Sequence, residues 1–298
     1  MTIYQPLPQV ADSGHRFDQN RHWAASLDLA FEGRQQDGRP VTRLTRARHS
    51  GPLRVQRPFY PEGRHGCCHV YLLHPPGGLV SGDALAISAE VGPGAHALLT
   101  TPAAAKLYKA DSHGVAWAQH TKLRVEDGGT LEYLPQETLA FDGSRGQQTT
   151  TIELGSHART ISWEILALGR PASELPFATG HLEQGFRLTR NGQPVWQEKQ
   201  ILDPGHRRFR GKWGQGGNTV QATLWTVGLE DEADAIEQLR ADLPDNPRWA
   251  VTRRGGVILL RYLGNERNEA WAICQQAWEI LRPGLTGQPA HVPRIWLT

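Results

Sequence analysis

Alternation of apolar and polar residues, interrupted at short intervals by turn residues, runs through most of this 298-residue chain. Residues 25–31 and 85–91 are clear examples, and the second run stops at Gly92-Pro93-Gly94. A period of two is typical of β-strands with one buried face. Asn-Gly and Asp-Gly pairs, which form tight hairpin turns, stand between such segments, most clearly at Asn191-Gly192. The sequence therefore predicts a mainly β fold, strand-rich over residues 20–228.

The last quarter of the chain has a different periodicity. Apolar residues recur every three to four positions over about 231–243 and about 266–281, which predicts two amphipathic helices. The second helix is expected to end before Pro283-Gly284. Between the helices, residues 249–252 and 257–262 read as a strand pair. The two helices are expected to cover one edge or face of the β structure.

Composition excludes several classes of protein. Lys plus Arg number 32 and Asp plus Glu 30, and this near-balance disfavours nucleic-acid binding by bulk charge. Three cysteines cannot form a disulfide framework, which indicates a reducing compartment. No signal peptide and no apolar run long enough to cross a membrane is visible, so we expect a cytoplasmic protein. No linker divides the chain, and one domain over 1–298 is predicted.

Possible metal ligands are densest between Pro58 and Asp83, a stretch that also contains Glu62, His65, Cys67, Cys68, His69 and His74. On a strand, Cys67 and His69 would face one way and Cys68 the other, so the three could not converge on one ion. Spacings such as CxxC are absent. A closed zinc site is not expected, and a buried strand with inert cysteines is the plainer interpretation.

Three further segments combine loop residues with charge. His74-Pro75-Pro76-Gly77-Gly78 leads to Asp83 but lacks the spacing and the lysine of a phosphate-binding loop. Lys106 follows a run of small residues, and Glu137 and Asp142 stand near predicted strand ends. Two carboxylates could serve acid–base catalysis, but no nucleophile elbow or zinc-protease motif accompanies them. The residues therefore do not favour an enzyme.

Taken together, these segments resemble the urease accessory protein D family, also called UreD or UreH. The matching blocks lie in the same order as in the family: PFYPEG (58–63), CHVYLLHPPGGLVSGD (68–83), TTPAAAKLY (100–108), LPQETLAFD (134–142), LGRPAS (168–173) and PRIWLT (293–298). The chain departs from the family pattern at Tyr133, where Trp is common, between Ser173 and Glu174, where a glycine is missing, and at Cys67, which is extra.

The resemblance implies a maturation factor that is not an enzyme. Members of the family bind the urease apoprotein, recruit accessory protein F and the GTPase accessory protein G, and help to supply Ni²⁺, which accessory protein E donates indirectly. A dimeric hetero-complex is expected, with no nucleic acid, no membrane and no tightly bound cofactor. The resemblance also implies a layered, β-helix-like or stacked-sheet fold and an internal passage in which Ni²⁺ is in transit.

A conduit must bind its ion weakly enough to release it, which favours dispersed carboxylates over a fixed cage of Cys and His ligands. We therefore expect a weak transit path that includes Glu62, Asp83, Glu137, Asp142, Cys68, His69 and His74. Lys106 and Tyr108 are expected to line the passage or tether a carboxylate, with Asp83 and Glu137 beside them. Trp278, Ile295 and Trp296 are candidate partner contacts, since aromatic anchors carry much interface energy.

Two other functions remain open from the residues. A metal-dependent hydrolase could use His65, His69, His74 and Asp83, and would retain a stoichiometric metal ion. A β-rich carbohydrate-binding module could use some of the ten Trp residues as stacking platforms.

Overall fold

The computed structural model describes residues 23–36, 38–63 and 65–297. Within these residues the chain is mainly β, as predicted. The strands are β1 (Trp23–Gln36), β2 (Arg39–Ser50), β3 (Arg54–Val55), β4 (Cys68–Leu73), β5 (Gly78–Leu79), β6 (Asp83–Val91), β7 (His96–Thr100), β8 (Ala105–Leu107), β9 (Trp117–Val125), β10 (Thr130–Tyr133), β11 (Thr138–Ala140), β12 (Arg145–Leu154), β13 (Arg159–Leu168), β14 (His181–Arg190), β15 (Gln193–Leu202), β16 (Val220–Val227), β17 (Trp249–Arg254) and β18 (Val257–Gly264). The helices are α1 (Arg207–Arg210), α2 (Glu232–Asp242) and α3 (Arg267–Thr286).

The strands form two sheets. Sheet 1 has the order β15-β14-β12-β9-β6-β1-β2, and the main path of sheet 2 is β17-β18-β16-β13-β10-β7-β4-β3. In the middle of both sheets the chain steps from a sheet 1 strand to a sheet 2 strand and back, through β6–β7, β9–β10 and β12–β13, with parallel neighbours. Short parallel strands β5, β8 and β11 branch from β13 and also belong to sheet 2. This coiling confirms the layered, β-helix-like expectation.

Alternation along the strands of sheet 2 creates two apolar layers. One face packs against sheet 1 and forms the inter-sheet layer, while the other packs under α2 and α3 and forms the helix-side layer. Cys68 belongs to the inter-sheet layer and Cys67 to the helix-side layer, which confirms that the two cysteines face opposite ways. Sheet 2 is therefore covered on both faces.

Antiparallel hairpins end sheet 1 on both sides. The strands β1 and β2 form one hairpin, and β14 and β15 form the other. The second hairpin turns at Asn191-Gly192, as predicted, with φ of 51° and 77° at these residues. A left-handed backbone at both central positions matches the twist of the paired strands, and Asn and Gly adopt it at low cost.

The two C-terminal helices lie where periodicity placed them, with one correction. Asp231 caps the start of α2 by accepting from the N–H groups of Ala233 and Asp234. Helix α3 does not end before Pro283 but continues to Thr286. Its last turn persists because Leu285 is fully buried and its carbonyl accepts a hydrogen bond from Arg159 Nη1 at 3.1 Å. None of the helices in the described residues is long and apolar enough to span a bilayer. The four-residue α1 was not predicted.

Candidate functional site

A cavity of about 130 Å³ lies between the two sheets. We call it the inter-sheet cavity. Loop residues 101–105 and His74 form the side that reaches the surface, and Tyr133 and Glu164 lie deeper. The wall is largely apolar, but several amide side chains project into it. Such a combination of apolar lining and few polar groups is typical of sites for small ligands.

The amide groups form a row across sheet 1. Gln119, Gln148, Gln184 and Gln200 are direct neighbours on β9, β12, β14 and β15. The Gln184 amide donates to Gln148 Oε1 at 3.2 Å. From sheet 2, Gln221 Nε2 donates to Gln184 Oε1 at 2.9 Å and to Gln200 Oε1 at 2.7 Å. We call these four sheet 1 residues the glutamine row.

Glu164 on β13 lies beneath the glutamine row. Thr150 Oγ1 donates to its Oε1 at 2.6 Å. Burial raises the pKa of Glu164 to about 7, against the lowering effect of Thr150 and with a smaller contribution from the negative charge of Glu198. Among the residues that the structure describes, no Lys, Arg or His forms an ion pair with Glu164. The carboxyl is therefore available to a cation that enters the cavity.

Two more spaces adjoin the inter-sheet cavity. A small one of about 20 Å³ shares Glu164 and Gln184 with it. Gln200, Gln221 and Thr223 line this small space and also an open groove of about 800 Å³ on the surface. The three spaces thus follow one another between the sheets, from the 101–105 loop to the far end of β15.

A second polar cluster is buried under α3. The Arg282 guanidinium donates through Nε to both carboxylate oxygens of Glu132, at 3.0 and 3.1 Å, and through Nη2 to Glu62 Oε1 at 2.7 Å. His96 Nε2 lies 2.7 Å from Glu132 Oε1, and Trp278 Nε1 donates to Glu132 Oε2 at 2.5 Å. We call these five residues the buried ion network.

Burial alone raises the pKa of Glu132, but His96, Arg282 and Trp278 outweigh it and hold this pKa at about 2. The pKa of Glu62 is lowered in the same way: the bonds from His69 and Arg282 exceed the opposing effect of burial. Both carboxylates are therefore ionised and already paired. The network ties α3 to sheet 2.

Cys67 completes two possible metal-ligand groups at this network, one with Glu62 and His69 and the other with His96 and Glu132, each with ligand atoms within 4.8 Å of one another. Burial raises the pKa of the Cys67 thiol, and the neighbouring carboxylates raise it further. A cation here would also face the buried charge of Arg282. The donor set therefore fits a structural ion network better than a metal centre.

The structure separates the two histidines and the cysteine predicted for a transit path. His69 is fully buried, and its Nε2 lies 3.0 Å from Glu62 Oε1. Cys68 lies 3.6 Å from the Tyr60 hydroxyl, and burial raises its thiol pKa to about 11. His74 lines the inter-sheet cavity, and burial lowers its pKa. Only His74 among these three reaches the cavity.

The two predicted aspartates accept hydrogen bonds from backbone N–H groups. Asp83 Oδ2 accepts the Val80 N–H at 2.8 Å, and burial raises the Asp83 pKa against this bond. Asp142 Oδ1 accepts the N–H groups of Ala178 and Thr179 at 2.9 and 2.7 Å. Burial raises the pKa of Asp142, but these bonds outweigh it and the pKa is lowered. Each carboxylate therefore has backbone partners and lies outside the wall of the inter-sheet cavity.

The other predicted passage residues also lie outside that wall. Glu137 is nearly buried, and its Oε1 is 3.5 Å from Arg267 Nε. Lys106 is exposed on β8. Tyr108 packs edge-on against Phe141, with ring centroids 5.3 Å apart. Asp83, Glu137 and Lys106, which the sequence placed together in a passage, therefore point to three different surroundings.

The predicted partner contacts belong to a cluster of tryptophans. Trp296 lies 5.2–5.6 Å, between ring centroids, from the indoles of Trp163, Trp271 and Trp278. Trp296 Nε1 also donates to Thr100 Oγ1 at 2.8 Å. Trp278 has no exposed surface in this structure, and Ile295 and Trp296 are half-buried. The cluster attaches the end of the chain to α3 and sheet 2.

Sequence reasoning missed Glu164, Glu132, Arg282 and the glutamine row. Glu164 had one usable signal: it is the only charged residue in the mainly apolar run of residues 161–168. A carboxylate at such a position must be paired or functional, because burial of an isolated charge is costly. The glutamines had no signal, since only strand pairing brings them together.

Residues 24–297 match the family described as UreD urease accessory protein. The chain belongs to the UreD family. It is 72% identical over 299 residues to a urease accessory protein UreD of Marinobacter nauticus, with all of both chains covered. It is 63% identical to urease accessory protein UreD 1 of Psychrobacter cryohalolentis, again over the whole of both chains. A Hahella chejuensis UreD protein is 41% identical, over 93% of this chain and 91% of the relative. UreD membership gives the chain a role in urease maturation.

Proposed function

We propose that this chain is a non-catalytic urease maturation factor that provides Ni²⁺ with an internal route between its two sheets. One observation carries the proposal: Glu164, a partly buried carboxyl without an ion-pair partner in the described residues, lies where the inter-sheet cavity meets the next space. Nickel is the cargo of this route and not a resident cofactor.

The donor chemistry supports transfer rather than storage. A conduit needs sites that attract the ion but release it. One carboxylate with neutral amide oxygens coordinates a first-row metal ion more weakly than a fixed set of thiolate and imidazole ligands. Gln148 and Gln184 supply such oxygens beside Glu164. His74 offers one nitrogen near the surface side of the cavity.

The route proposed here differs from the one expected from the motifs. It passes Glu164 and the glutamine row, whereas Asp83, Glu137 and Lys106 lie outside the cavity wall. The negative charge that a cation path needs is then supplied by one deep carboxyl rather than by several dispersed ones. The pKa of about 7 allows Glu164 to give up its proton when a cation enters.

In this proposal the chain works in the cytoplasm within a hetero-complex. It binds the urease apoprotein and accessory protein F, and through F the GTPase accessory protein G, which receives nickel from accessory protein E. Family membership supports this assembly role. The hydrolase alternative has less support, because His65, His74 and Asp83 belong to neither metal-ligand group found among the described residues.

The test is co-expression of urease and its accessory proteins at limiting nickel with Glu164→Gln in this chain. We expect urease with a reduced nickel content and proportionally reduced activity, while the variant still co-purifies with the apoprotein. Glu237→Gln, an exposed position on α2, is the matched control and should leave both unchanged. Normal nickel loading by Glu164→Gln would refute the route. Failure of the unchanged chain to co-purify with the apoprotein would refute the docking part.

A further inference from the structure

The open groove of about 800 Å³ at the far end of β15 is lined by both cationic and exposed apolar side chains. Arg207, Arg208, Trp213, Arg261 and Ile201 are among the residues that line it. We call it the basic groove. Trp213 is 93% exposed and Ile201 is 55% exposed, so two large apolar side chains stand beside the cations.

The charge of this region is one-sided. Residues 204–229 contain Arg207, Arg208, Arg210 and Lys212 but no Asp or Glu, in a chain whose overall charge is close to neutral. Arg261 pairs with Glu198, and Lys199 pairs with Glu183 at 2.9 Å. The excess positive charge therefore comes from the 207–212 segment.

Two of these cations have no internal role. Within the part of the chain that the structure describes, the guanidinium groups of Arg207 and Arg208 form no hydrogen bond or ion pair. Arg210 Nε donates to the Pro204 carbonyl at 3.0 Å, and Lys212 lies over the Trp213 ring at 5.3 Å. Clustered cations without carboxylate partners repel one another, and an external anion relieves that repulsion.

The floor of the basic groove includes a sheet edge. Among the strands that the structure describes, β15 pairs only with β14, so its other edge carries backbone N–H and C=O groups without a strand partner there, and residues 199–202 of this strand line the groove. An extended peptide can add to such an edge by main-chain hydrogen bonds. The exposed Ile201 and Trp213 side chains can then contact its apolar residues.

We propose that the basic groove binds an extended acidic segment of a partner protein, which pairs with β15 and places carboxylates against Arg207 and Arg208. A guanidinium group can form two parallel hydrogen bonds with a carboxylate, so the arginines favour a carboxylate ligand over attraction by net charge alone. The inference does not depend on the nickel route, so either can fail without the other.

The test uses fluorescence anisotropy with a labelled peptide of alternating Glu and Val. We expect saturable binding that weakens as ionic strength rises, because salt screens exposed charges. Arg207→Glu/Arg208→Glu should weaken it by at least about tenfold. Arg48→Glu/Arg57→Glu carries the same charge change at exposed positions near the opposite ends of the two sheets and should have little effect.

Two further arms identify the class of ligand and the contacts. Trp213→Ala, which removes a side chain that is 93% exposed and leaves the fold intact, should weaken binding of the same peptide. A peptide with alternate backbone nitrogens methylated should bind less well, because it cannot complete the ladder with β15. The proposal is overturned by equal loss in the two double variants, by no binding of the acidic peptide, or by tighter binding of a single-stranded oligonucleotide.

Discussion

Replacement of Arg282 by Met should destabilise this protein more than any other single change on α3. The side chain is fully buried, and its guanidinium is the cationic partner of both Glu132 and Glu62. Methionine fills similar space without charge or donors. Two ionised carboxylates would then lie under the helix with only His96, His69 and Trp278 as partners.

The expected loss is about 3–5 kcal/mol, the usual cost of removing one member of a buried ion pair. The structure gives a comparable figure. Glu132 has a pKa of about 2, compared with 4.5 for an ordinary Glu, which corresponds to about 3 kcal/mol shared among its donors. This stabilisation is present above pH 4.5 and is lost as pH falls towards 2. In Arg282→Met the pKa of Glu132 should rise towards 4.5, so the fall in stability on acidification should become smaller.

Urea unfolding followed by circular dichroism measures the free energy of unfolding of each variant. Arg267→Met is the matched control, since this arginine of α3 is 44% exposed and its loss should cost less than about 1 kcal/mol. Glu132→Gln/Arg282→Met should be more stable than Arg282→Met alone, because it removes one unpaired charge. The reasoning fails if the two single variants lose similar amounts, or if the double variant is no better.

Three other changes have defined outcomes. The free energy of unfolding of the parent should fall as pH rises from about 4.5 to 7, because the folded state keeps the Glu164 proton to a higher pH than the unfolded state does. Glu164→Gln should abolish this fall and be up to about 3 kcal/mol more stable than the parent above pH 7. Identical pH profiles of the two proteins would contradict this. Trp296→Ala should cost about 2–3 kcal/mol, since it removes a half-buried indole that contacts three others and donates to Thr100; an unchanged urea midpoint would show that the cluster is not stabilising. Gly146→Ala should cost about 1–3 kcal/mol, because the new Cβ would lie 2.3 Å from the Trp117 ring, and a variant of parental stability would mean that the ring moves freely.

Local sequence patterns predicted the type of most elements. The Asn191-Gly192 turn, the opposite orientation of Cys67 and Cys68, and the two C-terminal helices all depend on interactions within a few residues. The coiling of β6, β9 and β12 did not follow from these patterns. Strands that pair in successive coils are separated in sequence by about one full coil. The alternation of apolar and polar residues does not say which of these strands pair. The extension of α3 past Pro283 similarly depends on the burial of Leu285.

The site was harder to predict than the fold. Asp83 and Asp142 are predicted on a transit path because carboxylates near loops can bind metal. In the structure Asp83 accepts the Val80 N–H within a tight turn, and Asp142 accepts the N–H groups of Ala178 and Thr179 from a distant loop. A short side chain at the end of a strand serves either purpose, and sequence does not distinguish them. Glu164 stands out in its run as the only charged residue. Its place beside Thr150 and the glutamine row follows from strand pairing, which the run itself does not show.

The glutamine row exists because the pairing register of four strands aligns one glutamine from each. Side chains alternate between faces, so one extra residue in β12 would turn Gln148 to the outside and leave its neighbours without a continuous amide lining. A point substitution there removes a single donor, whereas a one-residue insertion interrupts the whole series. The number of residues in each coil is thus as much a determinant of the chemistry between the sheets as the identity of the side chains.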